Sequence, residues 1–309
     1  MRVLPNFIGI GAPKSATTWL FRCLREHPEV YLAPCKETNF FDYDTIEGRI
    51  DEYSVHFRSA RREVAIGEIS NRYFASDRAP QRIQRLLPGA RLFVSLRNPL
   101  EQVWSHYWHL KRQNFHQWER SRIPKSFDQA IEQQGKILLD SSYYYQHLRK
   151  WFEHFPRDQI LIILFDDICS DPGAILAKLY AFLGVDARFQ PSFRDLDGVS
   201  TRRGVSPQSD TLGLAHSLLY DVLNRHLYQR LKKNLGVKSA IRIKEALRVR
   251  QLMEKTFMQA GYPSLPPETR DYLADLFRAD IEKLSDLLER DLSCWLGKKR
   301  QHCEVSALS

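Results

Sequence analysis

The stretch with the most chemical content is Phe7-Ile8-Gly9-Ile10-Gly11-Ala12-Pro13-Lys14-Ser15-Ala16-Thr17-Thr18-Trp19. An apolar run ends in small residues, and a helix pattern opens with Lys, Ser and Thr at its mouth. Amide groups at a helix N-terminus lack acceptors within the helix, and the helix dipole adds positive potential there. Lys14 adds a full charge, and Ser15, Thr17 and Thr18 add hydroxyl donors. Such a mouth suits a phosphate or sulfate group. It is not a triphosphate loop of the G-x-x-x-x-G-K-[ST] kind, because Ile8 and Pro13 stand at its two Gly positions. Pro13 also removes a backbone donor.

A second cation follows a later apolar run: Arg91-Leu-Phe-Val-Ser-Leu-Arg97-Asn-Pro-Leu-Glu-Gln-Val-Trp-Ser105-His-Tyr. Arg97 leaves the carboxyl end of a strand, where open α/β sheets place their ligands. Its guanidinium can grip a phosphate with two parallel bonds. Ser105 lies two turns into the helix that follows. Cys35-Lys36-Glu37-Thr38-Asn39-Phe40-Phe41-Asp42 sets a Lys and a Glu before an aromatic pair. Residues 161–167 end in Asp166 and Asp167, as a magnesium-binding strand does, although apolar strands ending in acids are common.

The elements that must carry these residues alternate. Residues 6–11, 64–69, 91–96 and 160–165 read as buried strands. Residues 17–26, 78–87, 99–113 and 171–183 read as helices, with Pro88-Gly89 and Gly184 as stops. Wholly apolar strands separated by helices predict an α/β fold with a central parallel sheet flanked by helices, three layers in all. Beyond residue 204 the pattern is helical, near 211–233, 240–260 and 267–291. The expected organisation is one domain over 1–309: an α/β nucleotide-binding core to residue 204 and a helical extension from 205 packed on it. An independent helical domain is the alternative.

The 309 residues are enough for one large core. The formal charge of +9 favours anionic partners without choosing among them. Cys23, Cys35, Cys169, Cys294 and Cys303 form no metal-like cluster and read as reduced thiols. No apolar run approaches the roughly 20 residues of a membrane span. The chain runs from Met1-Arg2-Val3-Leu4-Pro5 straight into a strand-like segment, leaving no room for a signal peptide, so a cytoplasmic protein is expected.

The segment from Pro13 to Leu20 resembles the 5′-phosphosulfate loop of the sulfotransferases, Pro-Lys-x-Gly-Thr-Thr-x-Leu, with Ala16 at the usual Gly. The strand, Arg97, Asn-Pro, Ser105 order resembles that family's 3′-phosphate site. The resemblance implies a P-loop-like fold and 3′-phosphoadenosine 5′-phosphosulfate as donor, with no metal. Lys14 would meet the 5′-phosphate and the leaving oxygen. Ser15, Ala16, Thr17, Thr18 and Trp19 would hold the phosphate. Arg202, Arg203 and Gly204 resemble a late basic segment that closes over the 3′-phosphate. Lys36-Glu37 before Phe40-Phe41 resembles the heparan-type branch, in which the Glu is the catalytic base, whereas the phenol and steroid branch uses a His. Glu37 is the expected base, Lys36 a contact to the sulfuryl group, and His106 and His109 the rivals facing the cleft. Glu68 and Tyr73, in Gly67-Glu-Ile-Ser-Asn-Arg-Tyr73-Phe74, resemble an acceptor-side segment in which Ile69 takes the usual Lys position.

Partners are then the donor and an acceptor hydroxyl or amine on a small molecule, glycan, glycolipid or carrier. A homodimer through the helical C-terminal region is an open possibility. Two other readings stand beside this one. A P-loop kinase-like phosphotransferase would need magnesium. A non-enzymatic nucleic-acid binder would use the aromatic and basic residues interleaved at 104–118 as stacking platforms.

Overall fold

The computed structural model describes residues 2–114, 124, 126–192, 205–207, 258–260 and 262–297. The chain divides into two compact units, one of residues 1–103, 139–199 and 265–309, the other of residues 104–138 and 200–264.

The first unit is built on five parallel strands in the order β2-β3-β1-β4-β5. They are β1 (Phe7–Gly11), β2 (Val30–Leu32), β3 (Ala65–Ile69), β4 (Arg91–Leu96) and β5 (Ile160–Leu164). All five residues of β1 are buried, as expected of a central strand covered on both faces. The helices run α1 (Thr17–Glu26), α2 (Ile50–Ser54), α3 (Ala79–Leu86), α4 (Pro99–Asn114), α5 (Phe127–Leu139), α6 (Tyr144–Phe152), α7 (Phe165–Ser170), α8 (Pro172–Leu183) and α9 (Pro267–Leu288). α/β architecture with a parallel sheet and flanking helices is thus as expected.

Local chemistry explains the boundaries. Pro99 and Pro172 sit at helix starts, where a missing N–H is harmless. Asp171 caps α8 by accepting from the Ala174 amide at 2.9 Å, and Gly184, at φ 79°, closes it. Trp19, Leu20, Cys23 and Leu24 of α1 share one core cluster with Leu176, Leu179 and Leu183 of α8 and with Phe7 and Phe93 of the sheet. Each fully buried side chain of this size contributes about 1.5–3 kcal/mol. α9 docks through Asp280, which accepts from the first amides of α6, Tyr145 at 3.0 Å and Gln146 at 3.3 Å.

The structure also departs from the sequence reading. β2, α5 and α6 were not expected. β5 ends at Leu164, so Asp166 and Asp167 fall in the first turn of α7. There Arg290 holds Asp167 at 2.6 and 2.7 Å, and the Trp295 indole holds Asp166 at 2.7 Å. These acids close a structural joint. Residues 258–260 form a strand, β7 (Met258–Ala260), antiparallel to β6 (Val205–Pro207), and not the end of a helix. The helices expected at 211–233 and over most of 240–260 lie outside the described residues. Cys23, Cys35 and Cys169 carry thiols, but Cys294 is disulfide-bonded, which corrects the expectation of reduced cysteines throughout. Within the second unit, Trp104 and Tyr107 are buried against Phe127, and Trp104 Nε1 donates to the Pro263 carbonyl. They are core aromatics and not exposed stacking platforms.

Close strand packing imposes a sharp sequence requirement. A Cβ on Gly67 would lie 2.4 Å from the Phe7 carbonyl oxygen, a backbone atom that cannot swing aside. Gly67→Ala should therefore lower the unfolding free energy by about 3 kcal/mol, measured by denaturant titration.

Candidate active site

The sheet order makes β1 the switch point: the chain crosses to β2 and β3 on one side, then to β4 and β5 on the other. Loops leaving the carboxyl ends of β1, β3 and β4 therefore meet at one edge, where open α/β sheets bind ligands. The loop after β1 carries Lys14 and the loop after β4 carries Arg97.

Lys14 (φ 63°) and Ala16 (φ 62°) both adopt the left-handed conformation, with Ser15 between them. Alternation of this kind turns successive amides toward one side and forms a concavity for an anion. Ala16 is the N-cap of α1 but offers no side-chain cap, and the first turn holds no carboxylate. The Trp19 and Leu20 amides are the first to find an acceptor, the Ala16 carbonyl, at 2.9 and 3.1 Å. Those of Thr17 and Thr18 precede them and have no acceptor within the helix. A positive helix mouth beside a lysine, with no carboxylate in the helix's own first turn, fits a phosphate group. The Trp19 amide donates to the Ala16 carbonyl and its ring lies in the core. Ser15 and Thr17 are buried and Thr18 is exposed.

Two buried residues that the sequence reading passed over lie behind this loop, and one of them braces it. Gln102, fully buried on α4, donates to the Pro13 carbonyl at 3.1 Å and to Ser141 at 3.2 Å. Tyr144 is also fully buried near Ser15 and Arg97, but its hydroxyl has no hydrogen-bond partner among the described residues, and burial pushes its pKa up. No sequence pattern marks either, since each is placed by the packing of distant segments.

Arg97 is a fifth exposed. Its guanidinium lies 4.8 Å from the Phe165 ring centre and 3.5 Å from Glu101. That ion pair exceeds hydrogen-bond length, and Glu101 is also held by Arg270 at 2.9 Å. A guanidinium so steadied keeps a fork of donors for a ligand.

Glu37 also has a left-handed backbone (φ 67°), as does Asn39 (φ 53°). The Glu37 carboxylate accepts from the Asn71 amide at 2.8 Å and pairs with Lys36. One third of the side chain is exposed. The Asn71 carbonyl in turn lies where a Cβ on Gly11 would come within 3.0 Å, so Glu37 is fixed to the segment that flanks the start of the anion loop. Glu68 and Tyr73, expected at the acceptor, are instead both fully buried. Glu68 accepts from the hydroxyls of Tyr53 (2.7 Å), Ser70 (2.8 Å), Tyr73 (3.0 Å) and Thr38. Burial pushes its carboxyl pKa up, and these donors oppose the shift.

Ser105, His106 and His109 belong to the second unit, on α4, Ser105 buried and the two histidines half-buried. Arg202, Arg203 and Gly204 lie outside the described residues. Among the described residues no group of three or more His, Cys, Asp or Glu could hold a metal ion, and no helix is long and apolar enough to cross a membrane.

A parallel sheet with a lysine-bearing loop at its switch point is the arrangement in which open α/β folds bind their ligands. The chain belongs to the sulfotransferase family: the sulfotransferase domain matches residues 4–286. It is similar to human bifunctional heparan sulfate N-deacetylase/N-sulfotransferase 2, 25% identical over 318 residues that cover 98% of this chain and 32% of the relative. It is 29% identical to mouse heparan sulfate glucosamine 3-O-sulfotransferase 3B1 over 189 residues, 59% of this chain and 46% of the relative. The chain thus spans less than half the length of these curated relatives. The crystal structure of a sulfotransferase from Alicyclobacillus acidocaldarius shares the fold, with a TM-score of 0.66 and 23% identity over 95% of this chain and 99% of that one.

Ala16 stands in a conformation that costs a residue with a Cβ about 1–2 kcal/mol. Ala16→Gly should raise the unfolding free energy by about 1 kcal/mol. Equilibrium denaturation of both proteins checks this, and an unchanged midpoint would contradict the strain.

Proposed function

We propose that this protein moves a sulfuryl group from 3′-phosphoadenosine 5′-phosphosulfate to an acceptor hydroxyl or amine, with Glu37 as general base and Lys14 at the leaving phosphate. The observation that carries the proposal is the meeting, at one sheet edge, of a left-handed anion loop, a strand-end arginine and a partly exposed carboxylate. The donor, when bound, supplies an activated sulfuryl group on a phosphate leaving group. Lys14 and the amides from Ser15 to Thr18 would hold its 5′-phosphate, and Arg97, with Ser105, its 3′-phosphate. Lys14 balances charge that grows on the leaving oxygen, a stabilisation worth most where it is aimed before the reaction. Glu37 takes the acceptor proton as attack proceeds. The Asn71 amide and Lys36 hold its carboxylate in place. The names of the relatives, which include both N- and 3-O-sulfotransferases, support an amine or hydroxyl on a glycan as one acceptor class, beside small molecules, glycolipids and carrier-bound intermediates.

The kinase-like reading is the weaker one, since Pro13 interrupts the phosphate cradle and Asp166 and Asp167 are engaged by Trp295 and Arg290. Incubating the protein with radiolabelled donor and a panel of amines, alcohols and oligosaccharides, followed by mass spectrometry, tests the proposal. Label transfer without added magnesium is the expected result. Transfer of phosphate from ATP with none of sulfate would overturn it.

Two substitutions separate the roles. Glu37→Gln should reduce turnover at least ~10²-fold while affinity for 3′,5′-diphosphoadenosine is retained. Full activity would move the base to His106 or His109. Arg97→Ala should weaken 3′,5′-diphosphoadenosine binding about 10- to 100-fold in calorimetry, the size of one lost charge-assisted bond. Unchanged affinity would remove Arg97 from the donor site.

A further inference from the structure

Glu68 is a buried acid with no exposed surface, and it touches no residue of the anion loop in any bond described above. Its contacts run elsewhere. Of the four hydroxyls it accepts from, three tie back to the segment that presents Glu37. Thr38, directly after Glu37, donates its Oγ1 to Glu68. Asn39 donates its amide to Ser70 Oγ at 3.1 Å, and Ser70 Oγ donates to Glu68 at 2.8 Å. Phe41 donates its amide to the Tyr73 hydroxyl at 3.4 Å, and that hydroxyl donates to Glu68 at 3.0 Å. The Asn39 side chain closes the local loop by donating to the Glu37 carbonyl at 3.1 Å.

This convergence has a physical purpose. Glu37 and Asn39 both hold left-handed backbones, a conformation that non-glycine residues keep only where surrounding structure over-determines it. A buried carboxylate is expensive to place in a core unless its lone pairs are satisfied. Here two oxygens take four donors, and three of those donors lead to residues 38, 39 and 41. Tyr53 supplies the fourth and packs its ring against Phe40 and Phe41.

We propose that Glu68 is a positioning residue for Glu37: through Thr38, Ser70 and Tyr73 it locks the strained 37–41 segment so that the Glu37 carboxylate stands fixed at the edge of the anion loop. The inference rests on the reading of Glu37 as the base. Glu68 meets neither donor nor acceptor and moves no proton of the reaction.

The test uses Glu68→Gln and, because a core substitution can fail to fold, Ser70→Ala as a smaller cut in the same network. Turnover is measured with radiolabelled 3′-phosphoadenosine 5′-phosphosulfate and the panel acceptor that the wild type sulfates fastest. The expected result is a kcat lower by about 10- to 100-fold, the scale of a misplaced catalytic group, with 3′,5′-diphosphoadenosine affinity within twofold of wild type. Hydrogen exchange at the Asn39 and Phe41 amides should quicken in both variants. A purely structural role would lower kcat to the same degree with or without Glu37. A positioning role predicts that Glu37→Gln/Glu68→Gln is no slower than Glu37→Gln alone. Wild-type kcat in both variants, or a loss that persists in full on the Glu37→Gln background, overturns the proposal. If Glu37→Gln itself is fully active, the base assignment fails instead, and the two failures are told apart by that single mutant.

Discussion

Parallel pairing of β1 with β3 on one side and β4 on the other is the constraint from which the site follows. Because the strands run the same way, their carboxyl ends share an edge, and each loop leaves that edge with its chemistry already gathered. Gly9 and Gly67 permit the pairing at this closeness. Where either would carry a Cβ, the space is filled by the Phe93 ring or the Phe7 carbonyl. The lysine-bearing loop, the strand-end arginine and the Glu37 segment are therefore brought to one edge within the first unit.

What the sheet gathers, local strain aims. Lys14, Ala16, Glu37 and Asn39 all sit in left-handed backbone, where a Cβ is disfavoured. Strain of this kind concentrates where geometry has to be held for a purpose, and each instance here is over-determined by its surroundings. Gln102 backs the first loop, and Glu68 with its hydroxyls backs the second. The sulfotransferase family's usual Gly at position 16 is what such a conformation calls for, and the Ala in this chain keeps the shape at some expense in stability.

The sequence made the sheet and the anion loop legible for good physical reasons. Runs such as Ile160-Leu-Ile-Ile-Leu164 suit only a strand buried on both faces, and Pro13-Lys14-Ser15 at a helix mouth has few other uses. The three-residue strand β2 was too short to leave a period. α5 and α6 were passed over because their apolar residues are mixed with Gln, His and Lys, and tertiary contacts such as Trp151 Nε1 to the Phe74 carbonyl decide them. The placement of Glu68 could not be read either. A Glu beside a Tyr-Phe pair looks like a ligand-facing acid until Thr38, Tyr53 and Ser70 are seen to surround it. In the same way the partners of Asp166 and Asp167, Trp295 and Arg290, lie too far along the chain to be read from the sequence.

Asp280 capping α6 ties the order of synthesis to the order of assembly. α6 carries the fully buried Tyr144, yet the carboxylate that satisfies its first amides lies 135 residues further along the chain. A domain emerges from the ribosome N-terminus first, so the loop after β1 is made well before the helix whose carboxylate holds the start of α6. Contacts between such distant residues are also the slow ones to close. The start of α6 is therefore held by a contact that closes across 135 residues of chain.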